Sequence, residues 1–124
     1  MLNRKVYTPS GVQDILFEEC AAKRDMEQKI RVHLRENGYR EIETPSIEYY
    51  DTFSAGAGKI PQENMFKFSG SDGRMLVLRP DLTIPAVRTY ATKLRHDSDI
   101  VKLFYIGNAF NPLDAGGGKL KEFT

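Results

Sequence analysis

Ala22, Met26, Ile30 and Leu34 recur every fourth residue. At that spacing side chains share one face of a helix, so a helix is predicted over about residues 16–37. Lys23, Arg24, Asp25, Glu27, Lys29, Arg31 and Arg35 fall between these positions and are expected as its solvated face. Asn37-Gly38 is the expected stop, with the glycine taking the left-handed conformation just past the last turn. Alternation over residues 39–43 predicts a short strand that Pro45 ends, and residues 46–50 read as a second extended piece. Residues 51–64 contain Gly56, Gly58 and Pro61 among small residues and read as a mobile loop.

The second half has a different rhythm. Two apolar runs, Met65-Phe66-Lys67-Phe68 and Arg74-Met75-Leu76-Val77-Leu78, flank Ser69-Gly70-Ser71-Asp72-Gly73, and turn formers between such runs predict a β-hairpin. A second helix is expected over about residues 82–94, with Asp81 as N-cap and Pro85 in the first turn, where no intrahelical donor is lost. Val87, Tyr90, Ala91 and Leu94 would be its buried stripe. Residues 101–110 are apolar on both alternating faces, the pattern of a central strand covered on both sides. Asn111-Pro112 breaks it, Gly116-Gly117-Gly118 supplies a turn, and a returning strand is expected from Lys119. With neither repeat nor linker, this order predicts one α+β unit with a mainly antiparallel sheet.

Most familiar catalytic patterns are missing. Gly56-Ala57-Gly58-Lys59 lacks both the four-residue spacer and the hydroxyl residue of a phosphate-binding loop. His33 and His96 have no cysteine or carboxylate at a metal-ligand spacing, so neither a metal nor a cofactor is expected. His33 reads as a packed or interface residue, His96 as exposed, and Cys20 as a small apolar side chain. Three stretches stand out. In Leu78-Arg79-Pro80-Asp81-Leu82-Thr83 a strand meets a helix, and Asp81 with Thr83 could grip a ligand ammonium group. Helix capping by Asp81 is the competing reading. Residues 105–123 form two strand-like pieces around a glycine-rich loop, suited either to folding over a flat ligand or to an ordinary long hairpin. Gly38-Tyr39-Arg40-Glu41-Ile42-Glu43-Thr44-Pro45 marks an element boundary.

Composition narrows the classes. The chain has 124 residues, with 18 lysines and arginines against 17 aspartates and glutamates, a formal net charge of +1. This balance excludes the broad basic field of a nonspecific nucleic-acid binder. A single cysteine excludes an internal disulfide framework and suits a reducing cytoplasm. No apolar run approaches a membrane span, and the N-terminus has basic residues with no apolar stretch behind them, so no signal peptide is expected.

In order, these stretches resemble the N-terminal part of the histidyl-tRNA synthetase family of class II catalytic domains. Thr8-Pro9-Ser10-Gly11-Val12-Gln13-Asp14 is similar to the family's opening signature. Gly38 through Pro45 resembles motif 1, the helix-strand-proline unit of the class II dimer interface. Met65 through Phe68 and Leu78 through Thr83 resemble the strand and the amino-acid-binding turn, and Tyr105-Ile106-Gly107 through Phe123 resembles motif 2. The resemblance implies a class II synthetase-like antiparallel sheet flanked by helices, with residues 1–124 as the front part of a longer domain cut within motif 2.

The departures from the pattern point to a particular branch. A working synthetase has Phe-Arg in motif 2, whose arginine meets the ATP α-phosphate; here the pair is Phe110-Asn111. Asparagine has neither the charge nor the rigid fork of donors, and losing a charge-assisted bond costs about 1.5–3 kcal/mol. Pro112-Leu113-Asp114 replaces the His-Glu type of sequence that follows, and Asp81-Leu82-Thr83 stands where synthetases have Glu-Gly-Thr. This version, followed by Ile84-Pro85 and Arg88, is similar to the paralogues that serve as regulatory subunits of ATP phosphoribosyltransferase, the first enzyme of histidine biosynthesis. The resemblance implies a non-catalytic cytoplasmic protein that pairs with the catalytic phosphoribosyltransferase subunit and dimerises through its motif 1-like region. It would bind histidine through Asp81, Thr83 and Asn111, with no transfer RNA partner. The alternative is a histidine–tRNA ligase with a divergent motif 2; a third reading is an unrelated α+β interaction domain.

Overall fold

The computed structural model describes residues 6–55, 59–96, 100–113 and 120–124. The first helix, α1 (Phe17–Glu36), lies within the expected span. It ends as the Asn37-Gly38 pair requires: Gly38 has φ +84°, its N–H donates to the Arg35 carbonyl, and the Tyr39 N–H donates to the Leu34 carbonyl. These two bonds satisfy carbonyls that the last turn would otherwise leave open.

The inward face of α1 is not the expected one. Met26 is 65% and Ile30 45% exposed, and Ala22 is exposed as well. Glu27, expected on the solvated face, keeps only 12% of its side chain exposed and pairs with Arg24 at 3.1 Å. The reason is the charge on the neighbouring strand β1 (Arg40–Glu41). Glu41 accepts from Arg31 Nε at 2.8 Å and from Arg35 Nη2 at 3.0 Å, which turns the basic face of α1 towards the strand. The hydrogen bond to Glu41 holds the Arg31 guanidinium above its ordinary value, against the effect of burial. The two arginines, like charges one turn apart, thus share one carboxylate, and Glu27 lies 4.0 Å from Arg31 as a second.

Strands β2 (Ile47–Tyr49), β3 (Lys67–Ser69) and β4 (Met75–Leu78) form an antiparallel sheet in the order β2-β4-β3. The predicted hairpin is β3-β4, with Phe68 opposite Leu76 and Gly73 at φ +82° in its turn. The span expected as a mobile loop contains a short helix, α2 (Asp51–Ser54), and a 3-10 turn, Gln62–Asn64; Gly56 and Gly58 lie outside the described residues. Phe53 accounts for the order here. It is fully buried against Met65 and Val77, and Tyr50, Ile60 and Ile84 pack around this cluster.

Helix α3 (Thr83–Thr89) continues into a π-helical turn, Tyr90–Leu94. Its buried residues are Pro85 and Ala86, whereas Val87 is 60% exposed and Ala91 is also exposed. The expected stripe of Val87, Tyr90, Ala91 and Leu94 therefore does not form. Ile84 at the start of the helix packs on the Phe53 cluster, so burial is set there and the wider π turn shifts the later positions. Arg88 fastens the helix to β2, donating from Nη2 and Nε to the buried Glu48 at 2.8 and 3.2 Å.

The expected continuous strand over residues 101–110 is divided into β5 (Leu103–Phe104) and β6 (Ala109–Phe110). Only Phe104 and Ala109 of this stretch are buried. Strand β5 pairs with β1 in parallel, a departure from the antiparallel pattern, with Arg40 opposite Leu103. The predicted return strand is β7 (Glu122–Phe123), antiparallel to β6. Among the described residues no helix is long and apolar enough to cross a membrane.

Candidate functional site

Arg79 organises the junction where β4 runs towards α3. It is only 6% exposed, a position a cation occupies only when its donors are satisfied. Nη1 donates to the Thr44 carbonyl at 2.7 Å, the Thr44 hydroxyl at 3.1 Å and the Pro45 carbonyl at 3.3 Å. Nε donates to the Asn108 carbonyl at 2.6 Å. The backbone of the same residue donates to Ser46 O and accepts from Phe110 N. One side chain thereby joins the segment before β2, the end of β4 and the segment before β6. Burial pulls the guanidinium below its ordinary value, with the charges of Glu43 and Glu48 acting in the opposite sense.

This packing explains Gly107. A Cβ there would meet Arg79 Nη2 at 2.5 Å and Leu82 at 3.1 Å, so only a residue without a side chain lets the two segments approach. The division of residues 101–110 into two short strands falls at this point.

Two residues beyond Arg79, Asp81 Oδ1 accepts from the Ile84 N–H at 3.2 Å. The N-cap position itself falls on Leu82, one residue later than expected, yet Asp81 still accepts a first-turn N–H, and a carboxylate so used retains acceptor capacity at its second oxygen. Thr83 Oγ1 lies 3.2 Å from the Tyr105 hydroxyl, close enough to hydrogen-bond. The turn and the β5–β6 segment, 22 residues apart in sequence, therefore bring two hydroxyls together, one of them two residues along the chain from Asp81. Asn111 is occupied elsewhere: its Oδ1 accepts from the Leu113 N–H at 2.9 Å, and its own N–H donates to Lys121 O. It closes a turn just past β6, and neither of these bonds involves Asp81 or Thr83. The hairpin is tied further by Asn108, which donates to Glu122 and accepts from Thr124. Arg79, Tyr105 and Gly107 lie within stretches that stand out in the sequence, but no individual role could be assigned to them there. A buried arginine looks like any surface arginine there, and a hydroxyl pair separated by 22 residues leaves no local pattern.

A family model described as histidyl-tRNA synthetase matches residues 11–124. The chain belongs to the histidyl-tRNA synthetase family. Within this family it is similar to the ATP phosphoribosyltransferase regulatory subunit of Acetivibrio thermocellus, 55% identical over 124 residues, covering 100% of this chain and 30% of the relative. The corresponding protein of Ruminiclostridium cellulolyticum is 53% identical over 120 residues, covering 97% and 29%. The chain thus spans about 30% of the length of these curated relatives. Among solved structures, an ATP phosphoribosyltransferase regulatory subunit/histidyl-tRNA synthetase from Bacillus halodurans matches with a TM-score of 0.82 at 32% identity, covering 98% of this chain and 31% of that one. A histidyl-tRNA synthetase from Nostoc matches with a TM-score of 0.79 at 22% identity, covering 99% and 26%, a likeness of fold. The expected α+β, class II synthetase-like architecture is therefore that of the histidyl-tRNA synthetase family, and in this chain the β1–β5 pair is parallel.

Proposed function

We propose that this chain is part of a regulatory subunit of ATP phosphoribosyltransferase, a non-catalytic protein that the catalytic subunit requires for activity and for feedback inhibition by histidine. The observation that carries the reading is Asn111. The position that holds the ATP-binding arginine in synthetases here has an uncharged side chain that folds back onto the Leu113 N–H. Such a side chain offers no positive charge to a developing phosphate charge, the interaction on which adenylate formation depends. The similarity of the whole chain to proteins named as regulatory subunits supports the same conclusion.

In this reading Asp81 and Thr83 hold the ammonium group of histidine, with Asn111 as the third histidine-binding residue. Binding alone suffices for regulation, provided histidine prefers one of two states of the complex by about 1–3 kcal/mol. The role is a cytoplasmic one. A homodimer through the motif 1-like region, residues 38–45, is part of the proposal, and the exposed Met26 and Ile30 on the preceding helix α1 offer apolar surface for it. Histidine-dependent pyrophosphate exchange tests the loss of catalysis: the full-length protein should show none above background. Exchange at a synthetase-like rate would establish the ligase reading instead.

A further inference from the structure

Thr83 and Tyr105 raise a question of proton bookkeeping. An ammonium group has three N–H donors and no acceptor, so each group that holds it must offer a lone pair. Asp81 does so at any pH where it is ionised. A threonine hydroxyl can either donate or accept, and in contact with water it samples both. Its single hydrogen must be engaged elsewhere before its lone pairs face a cation reliably. At 3.2 Å the Tyr105 hydroxyl is placed to accept that hydrogen.

The surrounding structure holds Tyr105 in place. The Arg79 Nε bond to the Asn108 carbonyl, the Phe110 N–H bond to the Arg79 carbonyl and the absence of a side chain at Gly107 press the 105–110 segment against the turn that bears Asp81 and Thr83. The backbone that carries Tyr105 is therefore tied to the turn through Arg79, while the hydroxyl pair itself lies exposed. Orientation fixed before a ligand arrives lowers the cost of binding.

We infer that Tyr105 is a positioning residue for an amine-bearing ligand: when a cation approaches Thr83, Tyr105 accepts the hydrogen bond from the Thr83 hydroxyl and so leaves the Thr83 lone pairs free for the ammonium group. The inference rests on the assignment of Asp81 and Thr83 to the histidine amine. It adds a consequence that assignment alone does not have, namely that removing a hydroxyl 22 residues away weakens recognition of the amine specifically.

The test is calorimetric titration of the full-length protein with histidine and with its analogue lacking the α-amino group, imidazolepropionate. Tyr105→Phe should weaken histidine binding about tenfold, a net hydrogen bond's worth, and leave the analogue within about twofold of the wild type. In a Thr83→Val background the same change should alter histidine affinity by less than about twofold, because the hydroxyl it orients is gone. Thr83→Ser, which keeps a hydroxyl, should retain preference for the amine. Equal weakening towards both ligands, or an unchanged ratio between them, would overturn the role of Tyr105 while leaving the amine site intact. A wild-type protein indifferent to the α-amino group would instead overturn the assignment of Asp81 and Thr83, and this inference with it.

Discussion

Arg79 shows how much of this structure depends on single side chains. Its guanidinium meets the Thr44, Pro45 and Asn108 carbonyls in a nearly dry setting. Replacement by an apolar residue of similar length would remove the charge and leave those carbonyls short of a donor. Arg79→Met is expected to destabilise the protein by about 3 kcal/mol, measured by urea unfolding, because unsatisfied buried polar groups cost more than a made bond contributes. A loss below about 1 kcal/mol would mean that the fork does not hold the junction. At this scale the sequence was informative where a role is local. Asp81 was legible as a capping side chain because its partner, the Ile84 N–H, lies three residues away. Asn111 was legible as a departure from the synthetase pattern, but its turn with Leu113 required coordinates.

Among the elements, α1, β2, the β3-β4 hairpin and β7 were readable from periodicity and turn chemistry, all of them local signals. The buried faces were less readable. The fourfold apolar recurrence in α1 fixes which residues share a side but not where that side points. Electrostatic pairing of Arg31 and Arg35 with Glu41 sets the direction here. In α3 the N-terminal anchor at Ile84, Pro85 and Ala86 displaces the expected stripe. The continuous strand expected at residues 101–110 gives way near Gly107, because the chain there must approach Arg79. The exposed side of α1 leads to a test of its role. Met26→Glu should change the stability of a single subunit by no more than about 0.5 kcal/mol, since the side chain is already in water. Sedimentation equilibrium should nevertheless show weakened self-association of the full-length protein, because a charge would enter an apolar contact. An unaltered dimer would place the interface elsewhere.

At the scale of the molecule, much apolar surface is left uncovered: among the described residues Met26, Ile30, Val87 and Ile100 are 65%, 45%, 60% and 79% exposed. Among the described residues its fully packed apolar cluster centres on only Phe53, Met65 and Val77. Such a chain is expected to bury further surface within a longer protein, against a second copy and against a partner subunit. A net charge of +1 suits protein partners and a small ligand. Family membership and the class II fold leave two roles within reach, ligation and regulation, and the central claim is that this protein regulates. Reconstitution separates them most directly: the catalytic ATP phosphoribosyltransferase subunit is assayed alone and with the full-length protein while histidine is titrated. The account predicts activity that requires this protein and falls as histidine rises, with Asp81→Asn moving the inhibition to at least about tenfold higher histidine, the loss of one charge-assisted bond. Phosphoribosyl transfer that proceeds equally without this protein, and that histidine inhibits equally in its absence, would contradict it.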